Sequence, residues 1–388
     1  MRPRKDFRVP ALYVDRLHLT DFRCYRHMTL TPGAHSVVLT GPNGAGKTNI
    51  LEALSFLSAG RGLRGCKLSD ACRHDTDRPN WAVAARLETP DGTVNLGTGL
   101  EAMSDGDPTA KDKRVVRIDG ENGARPAAFS DILQVSWLTP QMDRLFIEAP
   151  SGRRRFLDRI VANFHGAHLR EVNAYERVMR ERNRILADGM GDASWLDALE
   201  GRMAEHGVAV AAARLDAQAR LAGAIEDSRS SFPRAILAVD GLLENGLSAG
   251  RPALAVEDDF RRILKDNRAQ DSRRGRADAG PHKTDLLVTH RDKDMPAALC
   301  STGEQKALLI GITLASARIT ESVFGAAPLL LLDEVVAHLD SERRLSLFDE
   351  LATLGAQVWL TGTDRLLFDD LDGRARAYRV ENNNVIEE

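Results

Sequence analysis

One stretch near the start of the chain has the spacing of a phosphate-binding loop, G-x-x-x-x-G-K-[ST], and it consists of Gly41, Pro42, Asn43, Gly44, Ala45, Gly46, Lys47 and Thr48. In such a loop the glycines let backbone N–H groups face the β-phosphate of a nucleotide, with the positive end of a helix behind them. The Lys47 ammonium would add charge beside the β- and γ-phosphate oxygens, and the Thr48 hydroxyl would bind Mg²⁺. The pattern therefore predicts a site for a nucleoside triphosphate and Mg²⁺.

Two adjacent carboxylates, Asp333 and Glu334, follow the apolar run Leu329–Leu332 and complete the predicted metal site. The C-terminal ends of strands line ligand crevices in open α/β sheets. We expect Asp333 to hold Mg²⁺ through water, and Glu334, on the other side of the extended chain, to polarise the attacking water. Alone, an apolar run followed by Asp and Glu is more often a strand entering a solvated turn, so this prediction depends on the phosphate loop.

The elements that must position these residues are strands and one helix. A β-rich run, 35–40, precedes the loop, and after it Ile50, Leu54 and Leu57 fall on one face of a helix. The run Leu329–Leu332 is apolar throughout, which predicts a strand buried on both faces in a parallel sheet. Four further runs are predicted as antiparallel strands, and they are Trp81–Leu87, Thr93–Leu100, Arg114–Asp119 and Val135–Leu138.

The middle of the chain has a different composition. Residues 151–230 are rich in Ala, Leu, Arg and Glu and contain no proline, with a break at Asp188–Asp192, which predicts a pair of long helices. A second basic helical segment is predicted from Val256 to Arg276. The sequence thus indicates an α/β domain interrupted by a helical insertion. We place the N-terminal half at 1–150, the insertion at 151–276 and the C-terminal half at 277–388.

Composition excludes several classes of protein. The 388 residues carry a formal charge of −3 and are 43% hydrophobic, which is typical of a globular chain and not of a disordered one. No run approaches the roughly 18 apolar residues of a membrane span, and the basic start Met1–Arg8 is not followed by an apolar segment, so a cytoplasmic protein without a membrane partner is expected. The scattered cysteines, Cys24, Cys66, Cys72 and Cys300, indicate neither a zinc site nor a disulfide framework.

Local basic segments suggest contacts with DNA. Residues 151–188 contain nine arginines and five acidic residues, and residues 261–276 contain seven basic and two acidic ones. Arginine-rich helices with interleaved acids are more often solvated faces, so Arg153 and Arg154 are candidates either for DNA or for bracing the domain junction. Arg61 and Arg64, among flexible glycines past the predicted loop helix, are better candidates. Without evident aromatic platforms, contact with the duplex backbone is favoured.

The segment Cys300–Lys306 resembles the signature loop of ABC-type ATPases, and Ala337–Asp340 resembles their D-loop. Lys47 and Ser301 lie 254 residues apart, more than a transporter ATPase domain uses and fewer than the long arms of SMC proteins need. Three further strings resemble the bacterial RecF family, and they are Asp21–Tyr25, Pro150–Asp158 and Gly280–Asp285. The resemblance covers the chain from about residue 17 to 364.

The resemblance implies an α/β fold, an ABC-type P-loop ATPase head with an inserted helical, short coiled-coil-like second domain. It implies a weak ATPase that dimerises around two ATP molecules, binds duplex DNA and single-strand/double-strand junctions, and assists RecA loading in gap repair with the partners RecO and RecR. Ser301 and Gly303 would touch the γ-phosphate across the dimer interface. The residues implied to contact ATP outside the phosphate loop are Arg23, Asn49, Ser301, Gly303, Glu304 and Asp340.

Three positions depart from the family pattern. After Pro140 the chain has Gln141, either a Q-loop ligand of Mg²⁺ or a solvated loop residue. The signature loop carries Thr302 and Glu304, which leaves the roles of its serine and glycine intact. After the strand 357–360 no histidine occurs where transporter ATPases carry a switch histidine. Thr363 is one substitute there, and slow hydrolysis is expected.

Two other functions are alternatives to the implied one, a protein that dimerises on ATP and binds DNA, here called an ATP-dependent DNA clamp. The first is the nucleotide-binding subunit of an ABC transporter, which the long separation between the phosphate loop and the signature loop and the missing histidine argue against. The second is a pure nucleotide switch, in which ATP binding drives dimerisation and turnover only resets it. The sequence favours the clamp over the transporter and leaves the switch open.

Overall fold

In the computed structural model, residues 9–73, 75, 80–100, 113–189, 192–371 and 373–388 are described, and the basic segment Met1–Arg8 lies outside them. The strands of the described residues are β1 (Tyr13–Phe22), β2 (Tyr25–Leu30), β3 (Ser36–Thr40), β4 (Trp81–Thr89), β5 (Gly92–Leu100), β6 (Arg114–Ile118), β7 (Glu121–Asn122), β8 (Val135–Leu138), β9 (Ala235–Asp240), β10 (Asp285–His290), β11 (Met295–Pro296), β12 (Leu329–Leu332), β13 (Val358–Gly362), β14 (Ala375–Glu381) and β15 (Asn384–Glu387). The α-helices are α1 (Lys47–Ser55), α2 (Pro150–Ala162), α3 (His168–Asp188), α4 (Ala193–Glu226), α5 (Leu242–Ser248), α6 (Ala253–Asp266), α7 (Arg268–Arg274), α8 (Thr302–Phe324) and α9 (Ser341–Leu354).

The chain divides into two units. Unit 1 comprises Met1–Met142, Arg229–Phe232 and Ser316–Glu388, and unit 2 comprises Asp143–Ser228 and Pro233–Ala315. These limits differ from the expected ones, because residues 277–315 belong to unit 2. Strand β10, which lies within the expected C-terminal half of the ATPase domain, pairs with β9 of unit 2. The sequence analysis did not identify β9, although its alternate residues are buried and exposed as in a one-sided strand.

Unit 1 contains a sheet with the strand order β15-β14-β3-β13-β12-β8. Strand β12 pairs in parallel with β13 and β8, and all its residues are buried, so the predicted parallel pairing of Leu329–Leu332 is confirmed. The prediction that Val135–Leu138 is antiparallel is wrong, because β8 lies parallel to β12. All four residues of β8 are buried, which is typical of a parallel strand.

A second sheet of unit 1 is antiparallel, with the order β2-β1-β4-β5-β6-β7. Strands β4, β5 and β6 confirm the other three antiparallel strand predictions. Along β4, buried and exposed residues alternate, so one face packs on the core. Trp81 of this face lies 5.3 Å from the Phe22 ring and 4.9 Å from the ring of Phe56, the residue after α1. This aromatic cluster fixes the C-terminal end of α1 against the sheet.

Unit 2 is mainly helical and also contains the small sheet β11-β10-β9. The predicted helix pair of residues 151–230 is three helices, since α2 ends at Ala162 and α3 starts at His168. The intervening residues include Asn163 and Gly166, which are poor helix formers. The segment predicted as one helix from Val256 to Arg276 is likewise divided between α6 and α7.

Several basic side chains of the predicted DNA-binding segments are paired inside unit 2. Arg182 of α3 is fully buried and donates hydrogen bonds to Glu200, to Asp271 and to the carbonyl oxygen of Leu264. Arg268 also donates to Glu200. Because a buried charge requires partners, Arg182 is structural, and the partly exposed Arg268 is bound to the same carboxylate. The positive charge of the segments therefore exceeds the charge available to DNA.

One described helix, α8, is long and apolar enough to cross a membrane by length and composition alone. Of its most apolar window, 67% is buried inside the protein. That degree of burial is typical of the core helix of a globular protein.

Candidate nucleotide site

The predicted phosphate loop joins the buried strand β3 to helix α1. Its glycines Gly41, Gly44 and Gly46 have φ angles of 138°, 81° and 110°. Residues that carry a side chain rarely adopt this region of φ. A Cβ on Gly41 would lie 2.2 Å from the carbonyl oxygen of Val380, and one on Gly46 would lie 2.6 Å from the hydroxyl oxygen of Tyr25. The loop is thus tightly packed from two sides, and its shape requires glycine.

The Lys47 ammonium is held within the loop. Its Nζ donates hydrogen bonds of 2.7 and 2.9 Å to the carbonyl oxygens of Gly41 and Pro42. Burial lowers the pKa of Lys47, and the nearby carboxylates of Glu334 and Asp333 raise it. Phosphate oxygens carry negative charge and are stronger acceptors than the two carbonyl oxygens. The ammonium is therefore placed where a phosphate could replace its present partners.

The two motifs predicted from distant parts of the sequence meet at Asp333. The Thr48 hydroxyl donates to both carboxylate oxygens of Asp333, at 3.0 and 3.1 Å, although the two residues are 285 positions apart. Burial raises the pKa of Asp333, while hydrogen bonds from Thr361 and Thr48 oppose that rise. Hydroxyl and carboxylate oxygens are the ligands that Mg²⁺ prefers. The residues present therefore fit the predicted metal.

Among the described residues no group of three or more His, Cys, Asp or Glu side chains could hold a metal ion by itself. Mg²⁺ is usually held by one or two carboxylates together with substrate phosphates and water. Gln141, the third predicted ligand, is exposed in the short turn after β8. Leu138, the last residue of β8, accepts a hydrogen bond of 2.9 Å from the Asp333 N–H. Gln141 therefore follows the strand that adjoins Asp333.

Glu334 differs from its expected backbone conformation. The extended chain was predicted to continue through it, but its φ angle is 52° because β12 ends at Leu332. A left-handed conformation is strained for a residue with a side chain, and such strain is common at functional sites. The Glu334 N–H donates a 2.9 Å hydrogen bond to the Thr361 hydroxyl, which holds this turn in place.

Thr361 is a site residue that the sequence analysis missed. Its hydroxyl donates to Asp333 at 2.7 Å and accepts from the Glu334 N–H. The parallel register pairs Leu332 with Leu360, so the next residue along β13 lies beside Asp333. Thr363, the residue considered in place of a switch histidine, is exposed two positions further on.

A buried carboxylate, Glu52 of α1, organises the residues beside the loop. Arg23 donates two hydrogen bonds to Glu52, of 2.9 and 2.6 Å, and Arg64 donates one of 2.7 Å. Arg64 also donates to Asn49, whose amide contacts the thiol of Cys24. Arg23 and Asn49, predicted to bind nucleotide, therefore lie in one network with α1. Arg64, predicted to bind DNA, belongs to the same network.

Arg61, the other predicted DNA contact of this segment, is exposed. No sequence motif marks Glu52. The signal that could have identified it is the presence of a carboxylate within the helix that follows the phosphate loop. Such a buried charge needs cationic partners. The charge of Glu52 explains why two arginines from outside α1 converge on this helix.

The signature loop of unit 2 begins α8 with a capping box. The backbone N–H and the hydroxyl of Ser301 donate to one carboxylate oxygen of Glu304, at 3.0 and 2.9 Å, and the Glu304 N–H returns a 3.4 Å bond to the serine hydroxyl. Lys293 forms an ion pair with the other oxygen. Gly303 lies in the first turn of the helix. Ser301 remains exposed at the start of the helix.

The predicted contact between Glu304 and ATP is not supported by this arrangement. The Lys293 ammonium, followed by the hydrogen bonds from Ser301, lowers the pKa of Glu304 to about 2. A carboxylate that is ionised at neutral pH repels phosphate. Glu304 therefore positions Ser301, and Lys293, a residue that the sequence analysis missed, holds Glu304.

Two further predicted residues stabilise helices or strands. The Asp340 carboxylate caps α9 by accepting a 2.8 Å hydrogen bond from the Arg343 N–H. Arg153 forms a bidentate ion pair with Asp285, at 2.7 and 2.8 Å, and its remaining terminal nitrogen donates to three backbone carbonyl oxygens. The predicted DNA contact of Arg153 is not supported, because its guanidinium is already bound. Arg154 donates to the carbonyl oxygen of Thr284.

Comparisons with known sequences identify relatives over nearly the whole chain. A family model described as the RecF/RecN/SMC N terminal domain matches residues 13–385. A protein named DNA replication and repair protein RecF from Brucella suis is 48% identical over 370 residues, which cover 95% of this chain and 94% of the relative. A protein of the same name from Allorhizobium ampelinum is 46% identical over 375 residues, 96% of this chain and 98% of the relative.

Solved structures share the fold. The recombination mediator protein RecF with ATPrS, described as part of the RecFOR pathway, matches with a TM-score of 0.82 at 20% identity, covering 99% of this chain and 100% of the other. The Smc head domain from Pyrococcus furiosus, solved with an extended coiled coil, matches with a TM-score of 0.53 at 15% identity, over 97% and 96% of the two chains. These similarities confirm the predicted α/β fold of an ABC-type ATPase head with an additional helical part.

Replacing Lys293 should change the titration of Glu304. In Lys293→Ala the pKa of Glu304 should rise from about 2 toward its ordinary 4.5, because the neighbouring ammonium is lost. The folded pKa lies below the ordinary value, so the stabilisation is present above about pH 4.5 and is lost as the pH falls toward 2. Carboxyl ¹³C NMR of selectively labelled protein measures the titration.

Lys283→Ala is the matched control, because Lys283 pairs with Asp278 and not with Glu304. This variant should leave the Glu304 titration unchanged. The assignment of Lys293 is wrong if Glu304 titrates identically in Lys293→Ala and in the unaltered protein.

Proposed function

Because the chain belongs to the RecF family of DNA replication and repair proteins, we propose that it is an ATP-dependent DNA-binding protein that hydrolyses ATP slowly. The main support for an ATP site is the hydrogen bond from Thr48 to Asp333, which joins the phosphate loop to the residue that follows β12. Family membership also removes the transporter alternative. We assign the ATPase head to unit 1 and the inserted domain to unit 2, with the signature loop in unit 2.

The phosphate loop would bind the triphosphate of ATP. Its N–H groups would face the β-phosphate, and the Lys47 ammonium would exchange two carbonyl acceptors for phosphate oxygens. Thr48, Asp333 and Gln141 would hold Mg²⁺, which supplies charge neutralisation on the β- and γ-phosphates when bound. Arg23 and Asn49 would act through the network that orients α1.

Glu334 would act as the general base. Its strained turn follows Asp333 directly, and the Thr361 hydroxyl fixes the backbone at this point. A carboxylate at this position can accept a proton from the water that attacks the γ-phosphate. Residues 361–364 contain no histidine, and Thr361 holds the backbone at Glu334. We therefore propose that Glu334 accepts the proton without help from a switch histidine.

We propose that ATP is shared between two copies of the chain. Ser301 is exposed at the start of α8, so its hydroxyl and the nearby backbone are accessible to the ATP of a second protomer. Gly303 and Asp340 would belong to the same shared site, while Glu304 and Lys293 would position Ser301. Dimerisation would therefore depend on ATP.

We further propose that the ATP-bound dimer binds duplex DNA and single-strand/double-strand junctions, with Arg61 and Arg64 near the phosphates. One related structure is described as a recombination mediator of the RecFOR pathway. By analogy, RecO and RecR would be partners, RecA loading would be the outcome, and the protein would act in the cytoplasm. The combination of nucleotide site and DNA contacts distinguishes this function from a nucleotide switch that never meets DNA.

The first experiment compares ATP, ADP and no nucleotide. Sedimentation velocity should show dimers with ATP and Mg²⁺ only, and anisotropy of a labelled duplex should show the highest DNA affinity in the same condition. ATP-dependent dimers without DNA binding would support the pure switch instead. If ATP changes neither association nor DNA affinity, the proposed function is wrong.

Removing the charge of Glu334 should separate binding from hydrolysis. Glu334→Gln should bind ATP as before but hydrolyse it roughly 10²–10⁴-fold more slowly, because the proton acceptor is lost. A long-lived ATP dimer should accumulate. Phosphate release and sedimentation measure the two effects, with the exposed α9 residue changed in Glu342→Gln as the control. Unchanged hydrolysis in Glu334→Gln would remove this residue from the mechanism.

Mixing two inactive variants should test the shared site. Ser301→Arg should bind ATP as a monomer, since the phosphate loop is intact, but should not dimerise, because the arginine obstructs the shared site. Lys47→Met should bind ATP poorly, because the phosphates lose their compensating charge. A mixed dimer restores one complete site of two, so mixing should recover part of the ATPase activity.

Thermal unfolding of both variants provides the control, since Ser301→Arg removes a helix cap worth about 1 kcal/mol. Each variant must be folded at the assay temperature. A Ser301→Arg protein that dimerises and hydrolyses ATP like the unaltered chain would contradict the shared site.

A further inference from the structure

A cavity of about 370 Å³ lies within unit 2, and the ATP chemistry does not use it. Its walls come from α2, α3, α4 and the turn Pro281–Lys283. Two of the sequence strings that resemble the RecF family, Pro150–Asp158 and Gly280–Asp285, meet here. Two contacts link them, the ion pair of Arg153 with Asp285 and the hydrogen bond from Arg154 to the carbonyl oxygen of Thr284, across 130 residues.

Arg214 and Asp158 line the cavity and are bound to each other. Arg214 donates two hydrogen bonds to Asp158, of 2.9 and 3.0 Å, and one of 3.1 Å to Glu244. His168 contacts the same Asp158 at 2.8 Å. The pKa of Asp158 is lowered by His168 and Arg214 against the opposing effect of burial. Asp158 is thus fully engaged by its own partners.

Arg154 and Arg155 line the same cavity, together with Glu176, whose carboxylate lies 4.0 Å from the guanidinium of Arg180. Arg154 is half-buried, and neither Arg154 nor Arg155 forms an ion pair with a carboxylate among the residues that the structure describes. Arg154 donates one hydrogen bond, to Thr284, and Arg155 donates one, to the carbonyl oxygen of Ser151. Burial and the neighbouring Arg214 lower the pKa of Arg154, while the carboxylates of Asp158 and Asp285 oppose this shift. An anion beside these guanidinium groups would be stabilised.

We propose that this cavity binds a phosphate group of the DNA backbone, with Arg154 and Arg155 as its ligands. The inference rests on the proposed DNA-binding function and adds a discrete binding site to it. Guanidinium groups match phosphate geometry with paired N–H donors, and Arg154 keeps donors beyond the one bound to Thr284.

The rest of the cavity suits the sugar next to such a phosphate. Val172, Val210 and Pro281 provide apolar wall, and the volume lies near the lower end of the range for ligand sites, about 300–1,000 Å³. The Tyr175 hydroxyl is bonded to His282 at 2.8 Å, and the other nitrogen of His282 lies 2.9 Å from a backbone carbonyl oxygen. These polar groups are satisfied, so they keep the wall rigid and do not compete for the phosphate.

The test measures duplex affinity against salt for the full chain with ATP. Changing both residues, Arg154→Gln with Arg155→Gln, should weaken binding of a labelled duplex about tenfold or more and reduce the salt slope by about 2, one for each lost phosphate contact. The variant Arg154→Lys with Arg155→Lys keeps both charges, so it should retain the salt slope, although it loses part of the affinity because an ammonium lacks the paired donors of a guanidinium. Arg220→Gln, an exposed arginine paired with Asp216, is the matched control and should change neither quantity.

Each outcome is decisive once ATP binding and thermal unfolding are shown to be unchanged. If the duplex affinity and the salt slope are equal in the unaltered protein and in all three variants, this inference is wrong, whereas the proposed function stands. A salt slope reduced as much in the Lys variant as in the Gln variant would mean that the charges are not in contact with phosphate, and it also overturns the inference. If inorganic phosphate stabilises the unaltered protein and not the Gln variant, while duplex affinity is equal, the site serves free phosphate and the DNA assignment is wrong. If the unaltered protein binds no duplex, the proposed function itself fails.

Discussion

The hydrogen bonds on the Asp333 carboxylate are the constraint on which the nucleotide site depends. Thr48 from the phosphate loop and Thr361 from the neighbouring strand both donate to it, so the carboxylate joins three segments that are distant in sequence. The parallel register of β3, β13 and β12 makes this possible, because their carboxyl ends lie at one edge of the sheet. A slip of one residue would turn Asp333 to the other face and separate the two motifs.

The sequence predicted those parts of the site that have fixed local spacing. The phosphate loop, the apolar strand before Asp333 and the α/β class were all predictable, because each depends on residues close together in the chain. Thr361 was not, since its role comes from the register between two strands. Lys293 and Glu52 were missed for the same reason, because only the fold brings their partners to them. Strand β8 was assigned to the wrong kind of sheet because short apolar runs do not reveal the direction of their neighbours.

Adjacent arginines in this chain show why composition is a weak guide to DNA binding. Arg153 is saturated by Asp285 and by backbone carbonyl oxygens, whereas Arg154, the next residue on α2, has a single backbone partner. Successive helical residues point in directions about 100° apart, so the two side chains meet different surroundings. Arg182, in the same basic segment, is fully buried in an ion-pair network. Net charge counts all three alike, although Arg154 alone of the three forms no ion pair with a carboxylate of the described residues.

The two carbonyl bonds of Lys47 have a consequence for which nucleotides the loop accepts. A ligand must displace the oxygens of Gly41 and Pro42 before the ammonium can turn to it, and that exchange is favourable only for an anion that reaches the loop interior. A nucleoside monophosphate has only the α-phosphate, and the lysine of such a loop contacts the β- and γ-phosphates. If the loop binds ATP as proposed, we expect the resting lysine to favour nucleotides that have a β-phosphate over AMP, which carries the same base and sugar.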